Sequence, residues 1–215
     1  MNRVTRFFGT LKNWLDEPAA IPSPANASVD IIVIDRSGSM GCADYPPSRL
    51  DGAKQAAYRF MEKRAAMDSK SCVGIVTFSL WSNLVAHPMP VKANLAKHKE
   101  ALDGISVSGA TNISAGLERA YVEIRRIEKP RDRRIVLLTD GHATNGANPV
   151  DTAREIKSAG IQVDIIGIGG SPSDVSEAEL KEMASVVNGE LRYWFIRSVG
   201  ELVQRFEALA LREIK

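Results

Sequence analysis

Three short stretches of the chain carry the side chains that could bind a cation: Asp35-Arg36-Ser37-Gly38-Ser39-Met40, Gly109-Ala110-Thr111-Asn112 and Thr139-Asp140-Gly141. From them Asp35, Ser37, Ser39, Thr111 and Asp140 offer two carboxylates and three hydroxyls, an all-oxygen set with no Cys or His. Such a set suits a hard cation of the magnesium type and argues against zinc or copper. Two carboxylates only balance the charge of Mg²⁺, and five side chains cannot fill six octahedral positions. At least one position is left to water or to an incoming oxygen. An ion surrounded mainly by neutral hydroxyls stays a strong electrophile towards an added carboxylate. Gly38 and Gly41 are expected to let the loop turn tightly, so that Ser37 and Ser39 face one centre.

These stretches need elements that carry them to one place. From Val29 the chain alternates apolar runs of strand length with longer segments of helical period, the pattern of βαβ units and a mostly parallel sheet. Strands are predicted at 29–35, 72–79, 82–86, 133–140, 161–168 and 191–196, and helices at 48–67, 93–102, 112–128, 149–158, 176–187 and 198–213. Four of the strands are dense in Val, Ile and Leu, as strands covered on both faces are. Ser48 with Asp51 three residues on resembles a capping box, and Gly160 sits where a helix ends. Too few residues separate 72–79 from 82–86 for a crossover, so that pair is expected to be an antiparallel hairpin at one edge. In doubly wound α/β folds ligands bind beyond the carboxyl ends of the strands where the strand order reverses. All three chemical stretches fall after a strand or before a helix.

Taken singly, each stretch has a plainer reading: Thr111 and Asn112 as a helix cap, Asp140-Gly141 as a turn, Ser37 and Ser39 as loop hydroxyls. Their coincidence at one crevice favours a site. The D-x-S-x-S run, the G-x-T-x-I at 109–113 and the T-D-G, in this order and spacing, resemble the metal-ion-dependent adhesion site of the von Willebrand factor A family, over roughly residues 28–213. The resemblance implies an α/β fold with a six-stranded sheet of order 3-2-1-4-5-6, strand 3 antiparallel and helices on both faces. It implies that Ser37, Ser39 and Thr111 hold the ion, Mg²⁺ or Mn²⁺, with Asp35 and Asp140 contacting it directly or through water. It further implies that the open position takes an Asp or Glu of a partner protein, making the chain a non-enzymatic adaptor of a larger assembly, such as an ATPase or a kinase or phosphatase system. Arg36, Met40, Tyr45, Asn112 and His142 are expected on the partner-binding face. Residues 41–47, with two prolines, make a longer connection after the metal loop than many relatives have.

Enzymatic readings are weaker. Asp35 resembles an aspartyl-phosphate nucleophile, but the second Asp that such chemistry needs two residues on is Ser37. A hydrolase built on Ser39, His142 and Asp140 has suitable residue types without a G-x-S-x-G elbow. Gly167-Ile168-Gly169-Gly170 lacks the third glycine of a dinucleotide fingerprint. His87 and His98 read as surface or hairpin positions.

Lys and Arg number 28 against 26 Asp and Glu, spread along the chain, which makes nucleic acid a poor partner. Cys42 and Cys72 form no disulfide framework and read as reduced thiols of a cytoplasmic protein. No apolar run approaches the ~18 residues of a membrane span. Within segment 1–17, Val4, Phe7, Phe8, Leu11, Trp14 and Leu15 recur at intervals of three and four, predicting an amphipathic helix over 3–16. Lys12, Asp16 and Glu17 argue against a signal peptide. Residues 18–27, with three prolines, read as a linker to a domain at 28–215. The apolar stripe is expected to dock in cis, on a partner subunit or on a membrane surface.

Overall fold

The computed structural model describes residues 24, 26–128, 130–141 and 143–211. The expected N-terminal helix and most of the linker lie outside them, as does His142.

Eight residues of alternating direction, Ser28–Asp35, form β1 and are buried on both faces. Parallel to it run β2 (Cys72–Phe78) on one side and β4 (Asp132–Thr139) on the other. Strand β3 (Ser82–Pro90) pairs antiparallel with β2, while β5 (Gln162–Ile168) and β6 (Tyr193–Ile196) extend the sheet beyond β4. The order is 3-2-1-4-5-6 with strand 3 antiparallel, as expected. Helices α1 (Arg49–Met67), α2 (Val91–Asp103) and α6 (Val199–Leu211) cover one face, where Ile32, Ile34, Val136, Leu138 and Ile166 point. Helices α3 (Ile113–Arg125), α4 (Pro149–Ser158) and α5 (Glu177–Met183) cover the other, over Val29, Ile31, Val33, Ile135 and Leu137. The two-residue period of each strand thus feeds two cores. Gly116 lets α3 lie close to the sheet: a Cβ there would meet the Phe78 ring at 2.7 Å.

Several elements differ from expectation for local reasons. Strand β3 runs past its expected end at 86 because an edge strand tolerates Pro88 and Pro90, whose missing N–H groups need no ladder partner. The helix expected at 176–187 stops at Met183, and Val186–Val187 pairs antiparallel with Glu190–Leu191. Asn188 and Gly189 between them both have positive φ, the Asn-Gly signal of a tight hairpin. His98 is fully buried, its ring bonded to the carbonyls of Asn94 (2.9 Å) and Val73 (2.8 Å), not at a surface or hairpin position; α2 begins at Val91 and turns it onto β2. Cys42 is exposed and Cys72 buried, both free. No helix among the described residues is long and apolar enough to cross a membrane.

Candidate metal centre

The strand order reverses between β1 and β4, and there the three stretches meet. Asp35 is the last residue of β1 and Asp140 follows the last of β4. Both are buried, as are Ser37 and Thr111, and the cluster opens to solvent at Ser39. One Asp35 oxygen accepts the Ser37 amide at 2.8 Å and the other accepts Thr139 Oγ1 at 2.7 Å. Ser37 Oγ and Ser39 Oγ lie 3.2 Å apart, and Ser39 Oγ donates to Asp140 Oδ1 at 2.8 Å. Thr111 lies at the same end of the sheet: a methyl group on Gly141 would sit 3.6 Å from Thr111 Oγ1 and 4.0 Å from Asp35 Oδ2.

Local structure explains the convergence. Residues Gly38–Gly41 form a single 3-10 turn, which brings the hydroxyls of Ser37 and Ser39 together. Neither Gly38 nor Gly41 has positive φ, so the turn does not draw on the freedom expected of them. That freedom is used at Gly109 (φ +68°), whose carbonyl accepts the Gly38 N–H at 3.1 Å and ties the second stretch to the first. The third is tied to the second by Thr144, whose N–H donates to the Thr111 carbonyl at 2.9 Å. Asn112 is also the N-cap of α3, its side chain accepting the Ala115 N–H at 3.1 Å, so the plainer reading holds for Asn112 alongside its place at the site.

The expected partner-binding face is only partly there. Arg36 and Asn112 are half-buried on this surface. Met40 and Tyr45 are not on it: both are buried among the core residues beneath α1 and α6. The 3-10 turn rolls Met40 inward, and Tyr45 reaches under α1 to donate its hydroxyl to the Ile196 carbonyl. Two residues not singled out in the sequence take part. Thr139, the first residue of the T-D-G motif, holds Asp35. Arg49 donates to Asp140 Oδ2 at 3.0 Å, and its place at the start of a helix gave no sign of that.

Electrostatically the centre is short of positive charge. Burial pushes the Asp35 carboxyl up to about 6, against the hydrogen bonds from Thr139 and Ser37, and the nearby Asp140 charge adds to the rise. Burial also raises Asp140, even with Ser39 and Arg49 bonded to it. Two buried carboxylates held above their ordinary range, with hydroxyl oxygens beside them, fit a hard divalent cation. Among the described residues no group of three or more His, Cys, Asp or Glu side chains is placed to hold a metal ion, so the hydroxyls are indispensable to such a site.

Comparison with known proteins agrees with this architecture. The model for the von Willebrand factor type A domain matches residues 31–142, which contain all five candidate ligands. A UPF0353 protein of Nocardia farcinica is 29% identical over 219 residues, covering 86% of this chain and 63% of that protein. The chain thus spans less than two thirds of that curated relative. Among solved structures, a von Willebrand factor type A protein from Catenulispora acidiphila superposes with a TM-score of 0.71 at 25% identity, over 86% of this chain and 42% of that one. BatB from Bacteroides thetaiotaomicron gives 0.68 at 22% identity, over 85% and 96%. Proximal thread matrix protein 1 of the mussel byssus, solved with a zinc-occupied MIDAS motif, gives 0.70 at 21% identity, over 89% and 47%.

Proposed function

The chain belongs to the von Willebrand factor type A domain family, and from that premise we propose that it is a Mg²⁺-dependent protein-binding module whose ion is held by Asp35, Ser37, Ser39, Thr111 and Asp140. The observation that carries the reading is the gathering of hydroxyl oxygens from three separate loops at two buried carboxylates. Such carboxylates are costly unless a cation balances them. A bound ion supplies Lewis acidity at the open, Ser39 side of the cluster, where an Asp or Glu of a partner protein completes its coordination. The chain's own residues do the rest. Thr139 and the Ser37 amide fix the Asp35 carboxylate, Ser39 and Arg49 fix that of Asp140, and Arg36 and Asn112 flank the opening.

No side chain is assigned a catalytic role in this reading, and the chain acts as an adaptor in a larger assembly. Two free thiols suit a reducing compartment such as the cytoplasm. The mussel protein's zinc-occupied motif supports metal binding at this place in the fold, while the oxygen-only donor set here favours Mg²⁺ or Mn²⁺. The test is co-purification from the source cell with Mg²⁺ and with chelator, using wild type and Asp35→Ala. A partner retained by wild type in Mg²⁺, and lost both in chelator and in Asp35→Ala, supports the reading. A partner retained in all conditions removes it.

A further inference from the structure

Arg49 stands where a helix disfavours a cation. It is the first residue of α1, at the positive end of the helix dipole, and only 7% of it is exposed. Carboxylates offset that cost from three directions. Asp44 accepts its Nε at 2.9 and 3.1 Å, Asp140 accepts Nη1 at 3.0 Å, and Asp174 lies 3.5 Å from Nη2. Asp44 belongs to the connection between the metal loop and α1, and Asp174 to the turn after β5. One side chain therefore ties the candidate metal centre to two further loops. It also divides the Asp140 carboxylate, with Oδ2 held by the guanidinium and Oδ1 turned to Ser39 among the candidate ligands.

Resting on the metal reading above, we propose that Arg49 is a positioning residue for the ion: by holding one oxygen of Asp140 it presents the other to the ligand cluster, and Asp44 holds Arg49 in turn. The planar fork is essential to this role. A guanidinium can meet Asp44 through one edge while another N–H reaches Asp140, whereas a lysine ammonium is a point donor on a flexible stem. Groups that orient metal ligands from behind are worth about 10- to 100-fold in metal affinity. Asp44 is part-exposed and, among the described residues, is hydrogen-bonded to none of the five candidate ligands. Any influence it has on the ion passes through Arg49 or through its bare charge.

Titration calorimetry with Mg²⁺ on the full chain separates these routes, using wild type, Arg49→Lys, Asp44→Asn and Asp51→Asn. Asp51 lies in the same first helical turn and bonds to Ser48, so its substitution removes an equal charge without touching Arg49. Wild type and Asp51→Asn are expected to bind alike, Arg49→Lys at least about 10-fold more weakly, and Asp44→Asn at an intermediate strength. Arg49→Lys binding as tightly as wild type, or more tightly, overturns the positioning role. Asp44→Asn matching Asp51→Asn overturns the relay, and decides alone if Arg49→Lys does not fold. A wild type that takes up no Mg²⁺ fails the metal reading itself, seen before any variant is compared, and takes this inference with it.

Discussion

Two charged centres share strand β1, five residues apart, and they are built on opposite principles. Near its start, Asp30 accepts Arg134 Nε at 2.7 Å and Arg64 Nε at 2.9 Å. Across β4, Asp164 of β5 is paired with Arg192 at 3.0 Å and lies 3.6 Å from the same Arg134. Among the described residues two carboxylates thus face three guanidiniums; those of Arg134 and Arg64 also donate to the Leu209 and Ala210 carbonyls and lie over the Phe60 ring, while that of Arg192 lies over Trp194. At the end of the strand, among the described residues, Asp140 is paired with the single guanidinium of Arg49, already shared with Asp44 and Asp174, and Asp35 is held by Thr139 and the Ser37 amide. The first cluster is closed by the protein's own cations and buried under α1 and α6. The second is completed by hydroxyls and opens at Ser39. Burial raises Asp30 as it does Asp35, but the Arg134 and Arg64 charges outweigh it and hold Asp30 below its ordinary value, whereas Asp35 rises to about 6. Burial alone does not decide which way a carboxylate shifts; the cations supplied with it do.

Breaking the closed cluster should have the largest effect. Asp30→Ala leaves Arg64 and Arg134 buried without their main partner and is expected to cost about 3–5 kcal/mol in urea unfolding, with the Mg²⁺ affinity of the folded protein unchanged. A loss under about 1 kcal/mol would mean that the pairing barely repays its own desolvation.

Asp140→Ala should do the reverse. Arg49 keeps Asp44 and Asp174, so stability in chelator is expected to stay within about 1 kcal/mol of wild type, as at a site that strands no charge. Wild type should gain about 2.7 kcal/mol at Mg²⁺ a hundredfold above its Kd, and the variant nothing. Thermal unfolding with and without Mg²⁺ reads both quantities. A variant that gains as much as wild type would contradict the site.

The two carboxylates also predict opposite responses to acid in chelator. Asp30, depressed in the folded protein, contributes stability above its unfolded value of 3.8, which is lost as pH falls below that through the folded value. Asp35, raised, makes the folded state take up a proton first, so stability should increase as pH falls from above 6 towards 4. Asp35→Asn should reduce the increase between pH 6 and 4, Asp140, which burial also raises, supplying the remainder, and leave the fall below it intact. A profile unchanged by that substitution would show that Asp35 does not titrate there.

An exposed pair sets the lower end of the scale. Arg154 and Asp151 are 2.6 Å apart on α4, with more than half of each side chain exposed, and Arg154→Ala should change stability by under about 0.5 kcal/mol in urea unfolding. A larger loss would show that proximity counts for more here than enclosure.

Much of the candidate centre was legible because it follows local rules. D-x-S-x-S after an apolar strand and T-D-G after another lie where parallel strands deliver their loops; the alternation of elements gives the mostly parallel sheet and its antiparallel hairpin, while the strand order came from the resemblance to the family. The misses share a cause. Met40 and Tyr45 look like loop residues until the 3-10 turn rolls Met40 into the core and Tyr45 reaches under α1 to the Ile196 carbonyl. His98 looks like a surface residue until α2 is laid on β2.

By itself, then, the sequence determined the class of fold, the three loops and the five oxygen-bearing residues, since two-residue strand periodicity and short spacings fix direction over a few positions. Only the tertiary structure decided which charges are paired. Asp30 lies 104 residues from Arg134, and Arg49 lies 91 residues from Asp140. No local pattern records a meeting of side chains from distant elements, yet those meetings set whether a buried carboxylate is paired with the protein's own cations or held mainly by hydroxyls.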